Sequence, residues 1–335
     1  MSADRAGSAR LDVVAVGNAL VDVLSHDDVS VVTALGLDKG VMTMVDHDGA
    51  ERIYEAQGPT LEVSGGSAAN TIAGLASFGS AGGFIGKVGK DDFGRAFAHD
   101  LDALGVIFGN APASDGGPTG RCHVIVTPDA DRTMCTFLGV ASELGPEDVD
   151  EALIGRADIT YLEGYLFDQP AAKDAFRHAA AVAHRSGRRV ALTLSDPFCV
   201  NRHRDEFLHL VEHAVEILFA NEEEICALYE VDDFDDALQH VRHHTDVAAL
   251  TRGKHGSIVV AGDDVHVIDA VPVDTLVDTT GAGDQYAAGF LHGLTAGRDL
   301  STCGHLGSLA AAECIAHLGP RPETSLADLA KSRLA

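Results

Sequence analysis

Residues 278–284 read DTTGAGD, and they set three small residues and an acid ahead of QYAAGFLHGL, an apolar run with helical spacing. If Gly281, Ala282 and Gly283 form the first turn of a helix, their N–H groups lack intrahelical partners and point outward together at the positive end of the helix dipole. That is an anion hole. Asp284, in the same turn, can accept the proton of an attacking hydroxyl while the N–H groups hold charge developing on a transferred group. The plainer reading is that Asp284 only balances the dipole and that Asp278, Thr279 or Thr280 is a cap. Gly289, Gly293 and Gly297 recur at four-residue spacing and predict that this helix packs closely against a neighbour.

Two further stretches carry groups suited to gripping hydroxyls. GNALVD (17–22) offers Asn18 and Asp22 just after a strand pattern, and SGGSAANT (64–71) places Gly65 and Gly66 before a helix start with Asn70 one turn inside it. The glycines permit close backbone approach or positive φ, and helix-start N–H groups would face a ligand. Taken singly, each has an ordinary alternative as a turn acid, a loop or a solvent-facing helix residue. His209 and His213 sit four apart on a helix pattern, but no acid of HExxH type accompanies them, so they read as surface rather than as a metal site.

The elements that must position these groups alternate along the chain. Strand patterns fall at 11–16, 41–45, 83–88, 122–127, 133–137, 159–162, 189–194, 217–220, 247–251, 257–260 and 265–268. Helix patterns fall at 67–78, 92–104, 171–185, 222–229, 234–243, 282–294 and 301–317. From about residue 156 onward strand and helix alternate, which predicts an α/β fold with a doubly wound, mostly parallel central sheet flanked by helices. Residues 21–45 and the hairpin 119–139, around the turn PDAD (128–131), break the rhythm and predict a small β-rich lid. With no internal repeat or low-complexity linker, the expectation is one domain over 1–335. Ligands in such sheets gather at the carboxyl ends of the strands, where the chemistry-bearing stretches lie.

Composition narrows the partners. The 335 residues, 46% hydrophobic, can bury a large core, and 24 basic against 51 acidic residues give a net charge of −27. Such a field repels nucleic acid and anionic membranes. Cys122, Cys135, Cys199, Cys226, Cys303 and Cys314 form no CxxC pair and sit in core-like stretches, as expected of reduced thiols in a cytoplasm. The N-terminal stretch is polar and no run approaches the length of a membrane span, so the expected protein is soluble and cytoplasmic. Both a monomer and a homodimer fit the sequence, because an exposed lid edge offers unpaired strand groups to a second chain.

Read together, these stretches carry a resemblance. DTTGAGDQYAAGF (278–290) resembles the C-terminal signature D-T-x-G-A-G-D of the ribokinase-like PfkB family of sugar and nucleoside kinases. GGSAANT with GKVGKDDFG (86–94) is similar to its N-terminal signature region, NEEE (221–224) to its N-x-x-E motif, and TRGKHGS (251–257) to its T-x-G-x-x-G nucleotide loop. These elements stand in family order from residue 17 to residue 284. Neither GKVGKDD nor GGSAANT satisfies the Walker pattern G-x-x-x-x-G-K-[ST], so a Walker-type kinase is excluded.

The resemblance implies a ribokinase-like fold and transfer of the γ-phosphoryl group of ATP to an alcohol with Mg2+, a reaction that asks mainly for positioning and charge stabilisation. By the same carry-over Asp284 is the base and 281–283 the anion hole. Asn221, Thr251, Gly253 and Gly256 lie at the nucleotide, and Glu224 holds magnesium through water. Asp278 and Thr280 match positions that help hold a monovalent cation such as K+ in many relatives. The acceptor would meet Asn18, Asp22, Gly65, Gly66 and Asn70. GGSAANT and TGRCHVIVTPDADRTMCTFLG (119–139) resemble the adenosine-kinase-like bacterial branch, and YLEGYLFD (161–168) fits it too, which implies adenosine as acceptor and Phe137, Leu138 and Tyr165 around the base. Arg132 either reaches phosphate when the lid closes or simply follows a tight turn. The alternatives are a ribose, fructose, inosine or guanosine acceptor, or a non-catalytic nucleoside or sugar sensor. Retention of a base, an anion hole and a metal motif together favours the enzyme, because a binder needs none of them.

Overall fold

The computed structural model describes residues 10–333 apart from residues 111, 114, 115 and 130, so part of the predicted turn 128–131 and the polar N-terminal stretch 1–9 lie outside the described residues. Among the described residues, fourteen strands form two sheets. They are β1 (Leu11–Val16), β2 (Leu20–His26), β3 (Met42–Met44), β4 (Thr60–Gly65), β5 (Gly82–Ile85), β6 (Ile107–Phe108), β7 (Gly120–Val126), β8 (Arg132–Phe137), β9 (Ala157–Glu163), β10 (Arg189–Thr193), β11 (Ile217–Asn221), β12 (Val247–Thr251), β13 (Ser257–Ala261) and β14 (Asp264–Ile268).

The large sheet runs β14-β13-β12-β11-β10-β9-β1-β5-β6. It is parallel from β6 to β12 and closes with an antiparallel edge, β12 to β13 to β14. Because parallel strands are covered on both faces, their side chains split between two cores. Val14, Val16, Leu192, Leu218 and Leu250 join one, whereas Val13, Ala15, Ala191, Phe219 and Ala249 join the other. From β1 the chain steps outward to β5 on one side and returns as β9 on the other. This reversal puts the switch-point crevice at the carboxyl ends of β1 and β9.

The second sheet, β3-β8-β7-β2-β4, is half-covered. Its odd-numbered face packs Ile125 and Cys135 against Val32 and Ile53 of the helices Val29–Ala34 and His47–Ala56. The other face carries Asp22, Cys122, Met134 and Thr136 in register. The sheet is larger than the predicted lid, for it includes β4, which the loop-like wording around Gly65 and Gly66 concealed.

Helix starts use the acidic composition directly. Asp28, Asp46, Asp91, Asp150, Asp196, Asp233 and Asp299 each cap a helix by accepting from a backbone N–H of its first turn, an interaction worth about 1 kcal/mol. Two helices instead begin at a glycine with no side-chain cap: Ser67–Phe78 at Gly66 and Ala282–Thr295 at Gly281. Their starts face the crevice. The helix Pro197–Ala214 was legible only as the pattern around His209 and His213, and the C-terminal helix Leu326–Arg333 was not among the periodic segments.

Close packing of the Ala282–Thr295 helix follows the glycine spacing at two of the three positions. A Cβ on Gly289 would lie 2.3 Å from the Leu306 carbonyl oxygen and one on Gly293 3.0 Å from Cys303 Sγ, so close backbone approach seats this helix against its neighbour Leu300–Cys314. Gly297 has open space around it and a φ of +70°, and so turns the chain after the helix instead of packing.

Candidate active site

The helix start expected to serve as an anion hole has free N–H groups, with a shift in which residues carry them. Gly281 is not in the first turn but caps it, at φ +79°, a left-handed conformation in which a Cβ would also meet Pro320 at 2.5 Å. The Ala282 N–H donates to Thr279 O at 3.2 Å. The N–H groups of Gly281, Gly283 and Asp284 are the ones left without an acceptor among the described residues. Space is open at Gly283, where a ligand can approach the backbone closely.

Asp284 is held from the opposite helix start. Its Oδ1 accepts from Ser67 Oγ at 2.6 Å and its Oδ2 from Asn70 Nδ2 at 3.2 Å. Although half-open to the crevice, its carboxyl is walled closely by protein. Burial pushes its pKa up to about 6 against the pull of Ser67 and Asn70. A carboxylate poised there is deprotonated at neutral pH yet basic enough to accept a proton.

Asn18 and Glu163 meet at the β1–β9 switch point. Asn18 Nδ2 donates to Glu163 Oε1 at 2.7 Å, and Glu163 Oε2 accepts from the Ala68 N–H at 2.8 Å, tying β1, β9 and the Ser67–Phe78 helix together. Burial pushes Glu163 up to about 7. Gly17 must lack a side chain, since a Cβ would lie 2.5 Å from Glu163 Oε2. Gly66, at φ +96°, passes so close to Asn18 that a Cβ would lie 2.3 Å from its carbonyl oxygen. Asp22 lies across Gly65, where a Cβ would be 2.4 Å from its carboxyl group, and accepts no hydrogen bond among the described residues. Burial raises Asp22 to about 6, with Arg321 and Arg132 pulling it down and Asp284 pushing it up. An acid with no internal partner is suited to accepting from ligand hydroxyls.

Arg132 leaves the second sheet and reaches the DTTGAGD loop. Its Nη1 stands 2.7 Å from Asp278 Oδ2 and 3.2 Å from Thr280 Oγ1. Asp278 also accepts from the Thr280 and Gly319 N–H groups. Three donors thus meet that carboxylate, which leaves about one of its lone-pair sites free.

Asn221 and Glu224 are brought together as a capping box: Asn221 N and Nδ2 donate to the two Glu224 oxygens at 2.9 and 2.6 Å, and Glu224 N donates back to Asn221 Oδ1 at 2.8 Å. Burial pushes Glu224 up to about 7, aided by the charges of Asp196, Glu223 and Asp284. Among the described residues no group of three or more His, Cys, Asp or Glu side chains is placed to hold a metal ion directly, and both Glu224 oxygens already accept, so contact of Glu224 with magnesium would run through the ion's waters. Thr251 sits beside Asn221 in parallel register. Gly253 and Gly256 bracket the next turn at φ +53° and +81°. Gly256 has a packing reason of its own, because a Cβ would lie 2.0 Å from Ile268 O.

The expected base pocket needs correction at Phe137. This ring packs 5.6 Å from His47, with Arg121 5.9 Å over it, on the helix-covered face of the second sheet opposite Asp22. Strand alternation turns Thr136 and Met134 toward the crevice instead, because one residue along a strand exchanges faces. Leu138 closes β8, its carbonyl packed against Gly120. Tyr165 stands at the mouth, where its N–H donates to the Ser195 hydroxyl and its own hydroxyl to the Ser195 carbonyl, at 3.2 Å each; Ser195 has a φ of +73°. His209 and His213 are exposed on the helix Pro197–Ala214, as expected.

Three positions that hold the crevice residues in place escaped the sequence reading. Ser67 and Glu163 lie inside GGSAANT and YLEGYLFD, and a lone acid ending an apolar strand was the available signal for Glu163. Arg321, in the turn after the helix Leu300–Cys314, gave none. It donates from Nη1 to Ser64 Oγ at 2.6 Å and from Nε to Asn70 Oδ1 at 3.3 Å.

A family model described as pfkB family carbohydrate kinase matches residues 42–325. The chain belongs to the PfkB family. This PfkB kinase is similar to the adenosine kinase of Sinorhizobium meliloti, whose solved structure superimposes with a TM-score of 0.89 at 48% identity, covering 97% of this chain and 99% of that one. Adenosine kinase of Saccharomyces cerevisiae is 29% identical over 330 residues, 92% of this chain and 96% of that protein. ATP-dependent ribose-1-phosphate kinase of Halopiger xanaduensis is 34% identical over 279 residues, 81% of this chain and 84% of that protein. The PfkB kinase has the ribokinase-like α/β fold and is an ATP-dependent nucleoside or carbohydrate kinase; its family works with ATP and usually Mg2+ on small molecules. Among the described residues no helix is long and apolar enough to cross a membrane.

Proposed function

We propose that this kinase phosphorylates the 5′-hydroxyl of adenosine, giving AMP and ADP. The observation that carries the reading is Asp22. It is a carboxylate without an internal partner, laid over Gly65 on the crevice side of the second sheet, suited to the vicinal hydroxyls of a ribose. The likeness to the Sinorhizobium adenosine kinase over nearly the whole chain favours a nucleoside over a free sugar. So does the apolar character of the crevice-side strands, where Met42, Met44 and Leu61 are exposed and a base would find apolar surface.

In this reading Asp284 accepts the 5′-hydroxyl proton, with Ser67 and Asn70 fixing its orientation, while the Gly281 and Gly283 N–H groups hold the charge of the transferred phosphoryl group. Glu224, with Asn221 behind it, would hold magnesium through water, and the ion would supply charge neutralisation at the phosphates. Thr251 and Gly253 flank the nucleotide. Asn18 and Asn70 bound the acceptor end, and the second sheet serves as a lid that excludes water from the transfer. Arg132 spans from lid to anion-hole loop and marks the closed arrangement.

The test is kcat/KM for adenosine, inosine, guanosine, ribose and fructose under one magnesium condition, with ATP consumption as readout. Adenosine is expected to lead. If ribose or fructose exceeds every nucleoside, the nucleoside reading falls; if no alcohol is phosphorylated, the catalytic reading falls with it.

A further inference from the structure

Asn70 is an amide with two chemically different ends, and only one of them suits Asp284. The Nδ2 end donates to the carboxylate, whereas the Oδ1 end would set an acceptor against an acceptor. The backbone does not choose between these ends, for a rotation of half a turn about the last side-chain bond exchanges them at little steric cost. The neighbours therefore decide. Asp284 favours the Nδ2 end from one side and Arg321 reinforces that choice from the other: its Nε donates to Asn70 Oδ1, and a guanidinium has no acceptor with which to receive Nδ2.

Arg321 is itself held on two sides. Its Nη1 donates to the buried Ser64 hydroxyl, while Asn70 also anchors the Asp284 helix by offering its backbone carbonyl to Gln285 Nε2 at 3.0 Å. Gln285 donates as well to Pro320 O at 2.9 Å, next to Arg321 in the chain, so the 319–322 turn is tied to the helix whose acid it serves. Arg321 Nη2 is buried without a partner among the described residues. A guanidinium with one donor buried and unspent carries a cost, so its two made contacts must outweigh that cost.

We propose that Arg321 is a positioning residue: by holding Asn70 Oδ1 it locks the amide in the orientation that donates to Asp284. The proposal rests on reading Asp284 as the base, but it can be checked without turnover. The other ionisable groups around Asp284 are Asp22, Glu163, Glu224, Tyr161, Tyr165 and Cys314, and none of them hydrogen-bonds to it among the described residues. The Arg321 charge acts on Asp22, which in turn interacts with Asp284, so the Asn70→Ala background is what separates the amide route from the charge route.

The experiment is a 13C carboxyl NMR titration of the full chain, with the Asp284 signal assigned by its loss in Asp284→Asn. In Arg321→Met the midpoint should rise from its native value by about one pH unit, as expected when a carboxylate loses a donated hydrogen bond. In Asn70→Ala it should rise similarly, and Arg321→Met placed on Asn70→Ala should add nothing. An unmoved midpoint in Arg321→Met, or a shift that adds to that of Asn70→Ala, overturns the proposal. Should the Met variant fail to fold, Arg321→Lys keeps the cation but cannot reach Ser64 and Asn70 together; a smaller rise supports the proposal and an unmoved midpoint overturns it. Because the titration needs no substrate, a panel that rejects adenosine leaves this result standing.

Discussion

The two ends of the crevice are built by different means. The end proposed for the phosphoryl group is one short segment: Gly281 caps, Gly283 and Asp284 follow in the first turn, and the N–H groups converge because a helix start leaves them so. The acceptor end is an assembly. Asp22 comes from β2, Gly65 from β4, Asn18 from the end of β1, Asn70 from a helix start, and Arg321 from a turn about 250 residues further along the chain. Chemistry that needs aligned backbone dipoles can be written locally, whereas recognition of a particular acceptor needs side chains placed by both sheets.

Substitutions can break that contrast, and the largest effect is expected at its catalytic centre. Asp284→Asn should lower turnover by roughly 10² or more while leaving acceptor affinity within a few-fold, as measured by steady-state kinetics and calorimetry. Native activity should rise with pH through about 6, because the raised carboxyl must lose its proton to act as base. Turnover indifferent to either change would remove Asp284 from the mechanism.

A backbone site should also be broken by a single methyl group. Gly281→Ala forces a left-handed residue and a contact with Pro320. A loss of about 2 kcal/mol in stability by urea denaturation, with a clear fall in turnover, is expected from the strain alone. A silent substitution would mean that the loop adjusts and that backbone conformation is not what fixes this end.

Protonation probes both ends together. Asp22, Asp284, Glu163 and Glu224 all have pKa values raised above those of free carboxyls. These four acids make the folded state bind more protons than the unfolded state between about pH 4 and pH 7, while buried His123, lowered to about 4, and His292, also lowered, offset part of this; with four acids against two histidines, stability should fall as pH rises through that window. Thermal melting across the range reads this, and a melting temperature that climbs instead would contradict the assigned burial of these acids.

The smallest effect sharpens the acceptor end. Phe137→Ala should change the acceptor KM by less than about twofold while loosening the second sheet, because the ring lies on the helix-covered face and its loss removes packing rather than a ligand contact. Hydrogen exchange in β7 and β8 would show the loosening. A large KM increase with unchanged exchange would return Phe137 to the base pocket.

Most of the central sheet was legible because each buried strand is a short apolar run between helical patterns, and Ser67–Phe78 and Glu222–Tyr229 have the predicted bounds. β4 was missed because Leu61 and Glu62 are exposed and the strand ends in glycine, so no two-residue alternation marks it. Phe137 was misplaced for a related reason: composition suggests an aromatic pocket, but only the pairing of Arg121 with Phe137 and of Cys122 with Thr136 tells which face each side chain takes.

What the sequence by itself determined is a helix start with free N–H groups at DTTGAGD, though the fold decided that Ala282 spends its N–H on Thr279 and that Gly281 caps the turn. The sequence also determined the alternating core that makes the α/β sheet. Only the tertiary structure decided that Glu163 joins Asn18 to a helix start, that Arg132 occupies Asp278, and that Arg321 reaches Asn70. A lone charged residue carries no local record of its partner. The partner is chosen by which strand ends and turns the folded sheets bring within hydrogen-bond distance.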